Sequence, residues 1–277
     1  MKILSQFRYH SEPLRIWYYK ITFMKVIVDD LATEYRDEGN PNGQVVLLLH
    51  GWRNELHSFD ALVHELAPQY RIVRLDLPGF GGTEVPRTTW ELNDYVGFVG
   101  DFIKKLGLKV DVLIGHSLGG RIMIKGLGED VFHPKKAVLI ASAGIAKRKT
   151  VRNQIFKGIA KTGRAITSIP PLFSLREKLR NRLYAYAGSD YNNAGPLKDT
   201  FVKLISEDLS AAASRISVPT LLLWGDHDME TPLSDGERLS RLIPGAILKV
   251  FPGTGHHVHQ ERSVAIAETM KEFIGTP

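Results

Sequence analysis

The chain has no cysteine in its 277 residues. Disulfides, thiolate metal sites and cysteine nucleophiles are therefore excluded, and the absence fits a reducing compartment, so a cytoplasmic location is the expectation. No stretch of about 18 consecutive apolar residues occurs, which leaves no candidate for a membrane-spanning helix. The first 23 residues have no continuous apolar signal core either, because Arg8, His10, Glu12 and Arg15 interrupt them. They read as an N-terminal extension, 1–23. No His-Glu-x-x-His run, Gly-x-Gly-x-x-Gly turn or phosphate-loop lysine is found, so no metal site, nucleotide site or other cofactor is expected.

What is present is an ordinary globular composition, 43% hydrophobic and 24% charged, in a length that suits one large α/β domain carrying an insertion. The net charge of +6 is unevenly distributed. Residues 147–182 carry eleven Lys or Arg against the single acidic Glu177, a net +10, so the remainder of the chain sums to −4. A segment of that kind can contact an acidic ligand or an anionic membrane surface, or can simply be the solvated face of helices. Nucleic acid is not expected as a partner, and the oligomeric state is not legible.

Strand-like runs alternate with amphipathic helical patterns, the signal of βαβ units in a mostly parallel sheet. Eight strands are expected at 25–29, 32–37, 45–49, 70–75, 110–114, 136–141, 219–224 and 246–251. Helices are expected near 55–67, 91–106, 118–127, 233–242 and 260–274. Continuous apolar runs such as VVLLL and TLLLW suit strands buried on both faces. From 144 to 213 no such run appears, and 70 residues are too many for a loop in a compact domain. The expected architecture is an α/β core formed by 24–143 and 214–277, interrupted by a helical cap at 144–213.

In open parallel sheets, ligands bind beyond the carboxyl ends of the strands, so the residues after each strand carry the argument. VVLLL runs into His50-Gly51-Trp52, and YRIVRL into Asp76-Leu77-Pro78-Gly79-Phe80-Gly81-Gly82. VDVLI is followed by Gly115-His116-Ser117-Leu118-Gly119-Gly120, TLLLW by Gly225-Asp226-His227-Asp228, and AILKVF by Gly253-Thr254-Gly255-His256. A serine needs a neighbouring base, and that base an orienting group, to act as a nucleophile. Serine, acid and histidine all stand at strand ends, in the chain order Ser, Asp, His.

These motifs, HGW, DLPGFGG, GHSLGG, WGDHDMETP and GTGHHVHQE, resemble the α/β-hydrolase family over about residues 24–275. The resemblance implies that Ser117 is the nucleophile on a strained strand-to-helix corner, with Gly115 and Gly119 making room for it. It implies that the N–H groups of Trp52 and Leu118 form the oxyanion hole. Family members place the acid four residues before a proline, which selects Asp228, ahead of Pro232, over Asp226. The Gly-x-Gly-His pattern likewise selects His256 over His257 and His259. His50 is expected to brace the oxyanion turn, His116 to pack beside the corner, Asp76 to hold the Pro78–Gly82 loop and Asp226 to cap its turn. The implied activity is hydrolysis of a small-molecule carboxylic ester or related acyl substrate through an acyl-enzyme. Cleavage of carbon–carbon bonds in ring-cleavage dienoates is the runner-up. A serine at 117 argues against dehalogenase and epoxide hydrolase chemistry, in which an aspartate attacks.

Overall fold

The computed structural model describes residues 24–145 and 195–275. Eight strands form one sheet: β1 (Met24–Val28), β2 (Leu31–Gly39), β3 (Val45–Leu49), β4 (Arg71–Leu75), β5 (Val112–His116), β6 (Lys136–Ile140), β7 (Thr220–Gly225) and β8 (Ile247–Phe251). Their spatial order is β1-β2-β4-β3-β5-β6-β7-β8. β1 pairs antiparallel with β2, and β2 with β4, while every pairing from β4 to β8 is parallel. After β3 the chain steps one way to β4, then crosses back to place β5 on the other side of β3. That reversal is a topological switch point at the carboxyl ends of β3 and β5, where such sheets bind ligands.

The helices are α1 (Asp60–Leu66), α2 (Leu92–Lys105), α3 (Leu118–Gly128), α4 (Lys198–Ser206), α5 (Ser210–Ala213), α6 (Leu233–Leu242), α7 (Val258–Glu261) and α8 (Ser263–Gly275). Strand periodicity of two divides the core between the two faces of the sheet. Leu47, Leu49, Val73, Leu75, Leu113 and Trp224 pack with α2, α3 and α6. Their neighbours Val46, Leu48, Ile72, Val112, Ile114 and Leu223 pack with α1 and α8 on the opposite face. Both sides of VVLLL are thus buried, which is why that strand shows no alternation in sequence.

Several boundaries differ from the sequence expectation. β5 starts at Val112 rather than 110 because Asp111 is used elsewhere: its carboxylate accepts the Val45 N–H at 2.9 Å and pairs with Lys135 at 2.8 Å. The helix expected at 55–67 begins as a 3-10 turn, Leu56–Phe59, before α1. The helix expected at 260–274 is two helices, broken at Arg262, whose φ of −136° and ψ of 43° are not helical.

The extension 1–23 and the basic segment 147–182 lie outside the described residues. The described end of the expected insertion, from 195 to 213, is helical and docks on the core. Lys203 pairs with Glu91 at 2.8 Å, Thr200 accepts the Trp90 N–H at 3.1 Å, and Lys125 reaches Glu207 at 2.5 Å. Among the described residues no helix is long and apolar enough to cross a membrane.

Candidate active site

Ser117 sits between β5 and α3 with φ 49° and ψ −106°, a left-handed backbone that side chains other than glycine's rarely adopt. The corner persists because its neighbours leave no alternative. A Cβ at Gly119 would lie 2.0 Å from the Leu49 carbonyl oxygen, and one at Gly115 would lie 2.5 Å from Met123 Sδ and from the Gly119 backbone. Backbone bonds fix the turn: Ser117 N–H donates to Ile140 O at 3.1 Å, and Ser117 O accepts from Ala143 and Arg121 at 3.1 and 3.0 Å.

The loop after β3 presses on this corner. A Cβ on Gly51 would lie 3.2 Å from Ser117 Cβ, and Gly119 N–H donates to His50 O at 3.0 Å. Arg53 turns the chain with φ 56°. Among the described residues the N–H groups of Trp52 and Leu118 donate to no backbone carbonyl. Leu118 also opens α3, whose first N–H groups and dipole favour negative charge. His50 is buried and braces this loop, its Nδ1 2.8 Å from Gly51 O and its Nε2 accepting the Leu77 N–H at 2.9 Å. Burial, against the Gly51 carbonyl and Asp76, depresses its proton affinity. Asp76 accepts from Leu56 N–H at 2.6 Å and Gly82 N–H at 2.8 Å, holding the loop after β4 as expected. Trp52 packs edge-on against Phe80 and tilted against Phe201, at centroid distances of 5.0 and 4.9 Å, so α4 contacts this loop.

His256 and Asp228 meet at the ends of β8 and β7. His256 Nδ1 lies 2.9 Å from Asp228 Oδ2, and both side chains are buried. The other oxygen, Oδ1, accepts the N–H groups of Glu230 and Thr231 at 2.8 and 2.9 Å. Burial pushes the Asp228 carboxyl up, but the His256 and Thr231 hydrogen bonds outweigh it and hold the group below the ordinary carboxylate range. An imidazole held at Nδ1 by an ionised carboxylate has Nε2 left for proton transfer.

Asp226 takes a different part. Its Oδ1 accepts the Gly253 N–H at 2.7 Å, tying β7 to the turn after β8, and it makes no contact with His256 Nδ1. The two halves of the site are joined around the end of β6. Ala141 O accepts the Thr231 hydroxyl at 3.0 Å, two residues before the Ala143 N–H bonded to Ser117. His116, next to Ser117, donates from Nε2 to the His256 carbonyl at 3.0 Å.

Sequence reasoning missed three contributors. The Thr231 hydroxyl stands 2.8 Å from Asp228 Oδ2 and 3.2 Å from His256 Nδ1; its place in the WGDHDMETP motif was the available signal. Glu230, exposed, places Oε2 3.4 Å from His256 Nε2. The third is a cluster of His116, His257 and His259 beside His256, which spacing in the chain does not announce.

A sheet reversing at β3 and β5, with a strained serine at one strand end and a buried His–Asp pair at two others, defines the α/β-hydrolase architecture. Residues 46–269 match the Alpha/beta hydrolase family, and the chain belongs to it. An uncharacterized hydrolase of Bacillus subtilis (strain 168), YugF, is 27% identical over 262 residues, covering 89% of this chain and 96% of its own. A membrane phospholipase A described as a bacterial virulence factor superposes with a TM-score of 0.71 at 24% identity, over 91% of this chain and 85% of the other. A meta-cleavage product hydrolase from Pseudomonas fluorescens IP01 gives 0.68 at 21% identity, over 90% and 96%. At such identities the two structures share the fold, and the family makes the chain a hydrolase.

Proposed function

We propose that this hydrolase cleaves carboxylic esters of small molecules through an acyl-enzyme on Ser117. His256 takes the proton of the Ser117 hydroxyl as it attacks the ester carbonyl, and later gives it to the departing alcohol. Asp228 fixes the imidazole with its proton on Nδ1 and stabilises the imidazolium that forms. The N–H groups of Trp52 and Leu118 receive the charge that develops on the carbonyl oxygen, and removing one such donor typically costs about 3 kcal/mol of transition-state stabilisation. A water then attacks the acyl-enzyme with His256 again as base. No metal or cofactor is required by these steps.

The observation that carries the reading is the positive φ of Ser117 at the strand end beside a buried His256–Asp228 pair. A strained serine is retained where its position matters. The test is Ser117→Ala against p-nitrophenyl esters from acetate to palmitate, with a ring-cleavage dienoate in parallel. Ester turnover in the parent and a loss of about 10³-fold or more in the folded variant are expected. Retained activity in the variant ends the serine reading, and turnover of the dienoate alone redirects it to carbon–carbon cleavage. The alternatives for the basic 147–182 segment, an acidic ligand, an anionic membrane surface or a solvated face, fall on residues outside those described.

A further inference from the structure

Beside His256 three more histidines meet, with ring centroids 4.7 Å from it at His116 and 5.5 Å at His257. His116 ends β5, His257 immediately precedes α7 and His259 lies within it. One ring nitrogen of each lies within 4.8 Å of the other two. The rings crowd together, His116 standing 4.5 Å from His259 and 5.3 Å from His257 between centroids. Nδ1 of His116, Nδ1 of His257 and both nitrogens of His259 are buried with no hydrogen-bond partner among the described residues. Buried polar atoms are nearly always paired, so these orphans point to a partner that the described side chains do not supply, and a metal ion would take one nitrogen of each ring.

The chemistry of the donors says what that partner is. His116 has already committed Nε2–H to the His256 carbonyl, so its Nδ1 carries a lone pair. The Ser58 carbonyl is not in hydrogen-bond geometry with the His259 ring and takes the Gln260 side-chain N–H at 3.0 Å. Neutral imidazoles are the form that ligates metal, and a nitrogen-only donor set suits zinc, copper or nickel rather than calcium or magnesium.

We infer that His116, His257 and His259 bind one divalent transition-metal cation, with Zn²⁺ as the reference ion, and that this ion pins the turn carrying His256 to the β5 corner. Tetrahedral zinc with nitrogen ligands at about 2.0–2.1 Å sets ligand nitrogens about 3.4 Å apart. The cluster therefore needs a contraction of about 1.4 Å at its widest separation, within the reach of ring rotation. His257 is half-buried, and with three nitrogen ligands the fourth tetrahedral position falls to water. The inference is independent of the bond the enzyme cleaves, since no ligand is shared with Ser117, His256 or Asp228.

The experiment uses the untagged full chain, stripped with EDTA and dialysed. Equilibrium dialysis with Zn²⁺ is expected to give one ion per chain with a Kd on the order of micromolar or tighter. Co²⁺ should develop the visible absorption of a tetrahedral nitrogen site, and Tm should rise by about 5 °C at a hundredfold excess over Kd. His257→Ala, at a half-buried position that tolerates truncation, should weaken binding at least about tenfold. His259→Phe should abolish it while leaving the metal-free Tm unchanged or higher, because an unpaired polar ring is replaced by an apolar one. The inference is overturned by the absence of saturable one-to-one binding, by binding that survives in both variants, or by a Tm indifferent to the ion. The last would mean that buried water alone satisfies the rings.

Discussion

Two aspartates two positions apart, Asp226 and Asp228, differ only in what their backbone turn lets them reach. Asp228 stands at the start of a turn whose N–H groups at 230 and 231 point back at Oδ1, which aims Oδ2 at His256. Asp226 is already engaged with Gly253. Asp228→Asn is therefore expected to cost far more turnover than Asp226→Asn, because an amide cannot both accept the Nδ1–H and stabilise the imidazolium. The comparable change in a serine protease costs about 10⁴-fold, whereas Asp226→Asn should stay within about tenfold. Parallel kinetics of the two folded variants check the assignment, and a larger loss at 226 would reverse it. The choice between the two was legible only through the family's spacing to Pro232. Nothing in the side chains distinguishes them, and the hydrogen bonds that do are properties of the folded turn.

At the scale of elements, the corner between β5 and α3 depends on how closely α3 approaches β3. Gly119→Ala would drive a methyl to 2.0 Å from the Leu49 carbonyl oxygen and 2.6 Å from its carbon, and backbone atoms cannot rotate away as a side chain can. A loss of about 3 kcal/mol of stability is expected, together with impaired turnover as the Leu118 N–H shifts. Gly97→Ala provides the contrast. It lies on the exposed face of α2 with nothing within 4 Å of an added Cβ, so a gain of about 0.5–1 kcal/mol is expected from helix propensity. Denaturant unfolding of both variants measures the pair, and a neutral Gly119→Ala would show that the close approach is not needed. The same local physics explains what the sequence revealed of the fold. Buried parallel strands are continuous apolar runs, so β3 and β7 could be read directly, and glycines at their ends marked the turns. β8, mostly exposed or half-buried, still read as a strand because it repeats the same length and flanking turns. The split of the last helix at Arg262 and the two-residue shift of β5 escaped, since each follows from a tertiary contact or a turn dihedral that no local pattern encodes.

Across the whole molecule, three buried histidines, His50, His116 and His259, tie stability to pH. Burial holds His50, His116 and His259 below the ordinary histidine value of about 6.5. In the unfolded chain each would take up a proton near that value, so between pH 6.5 and about 3, the figure for His259, the unfolded state binds more protons than the folded one. Stability therefore rises with pH through this window and falls on acidification, by up to about 1.4 kcal/mol per pH unit for each fully linked group. Asp228 adds to the loss only at the acid end, because its depressed carboxyl contributes stability above the ordinary carboxylate value that disappears as pH falls through its folded one. Thermal unfolding of EDTA-treated protein should thus show Tm falling from pH 7 toward pH 5, well above the range in which carboxylates titrate. His259→Phe should flatten that slope by close to one proton and leave the pH 7 value little changed. A parent Tm constant between pH 7 and 5 would mean that these rings take up protons in the folded state, which requires water or an anion to reach the histidines packed beside His256.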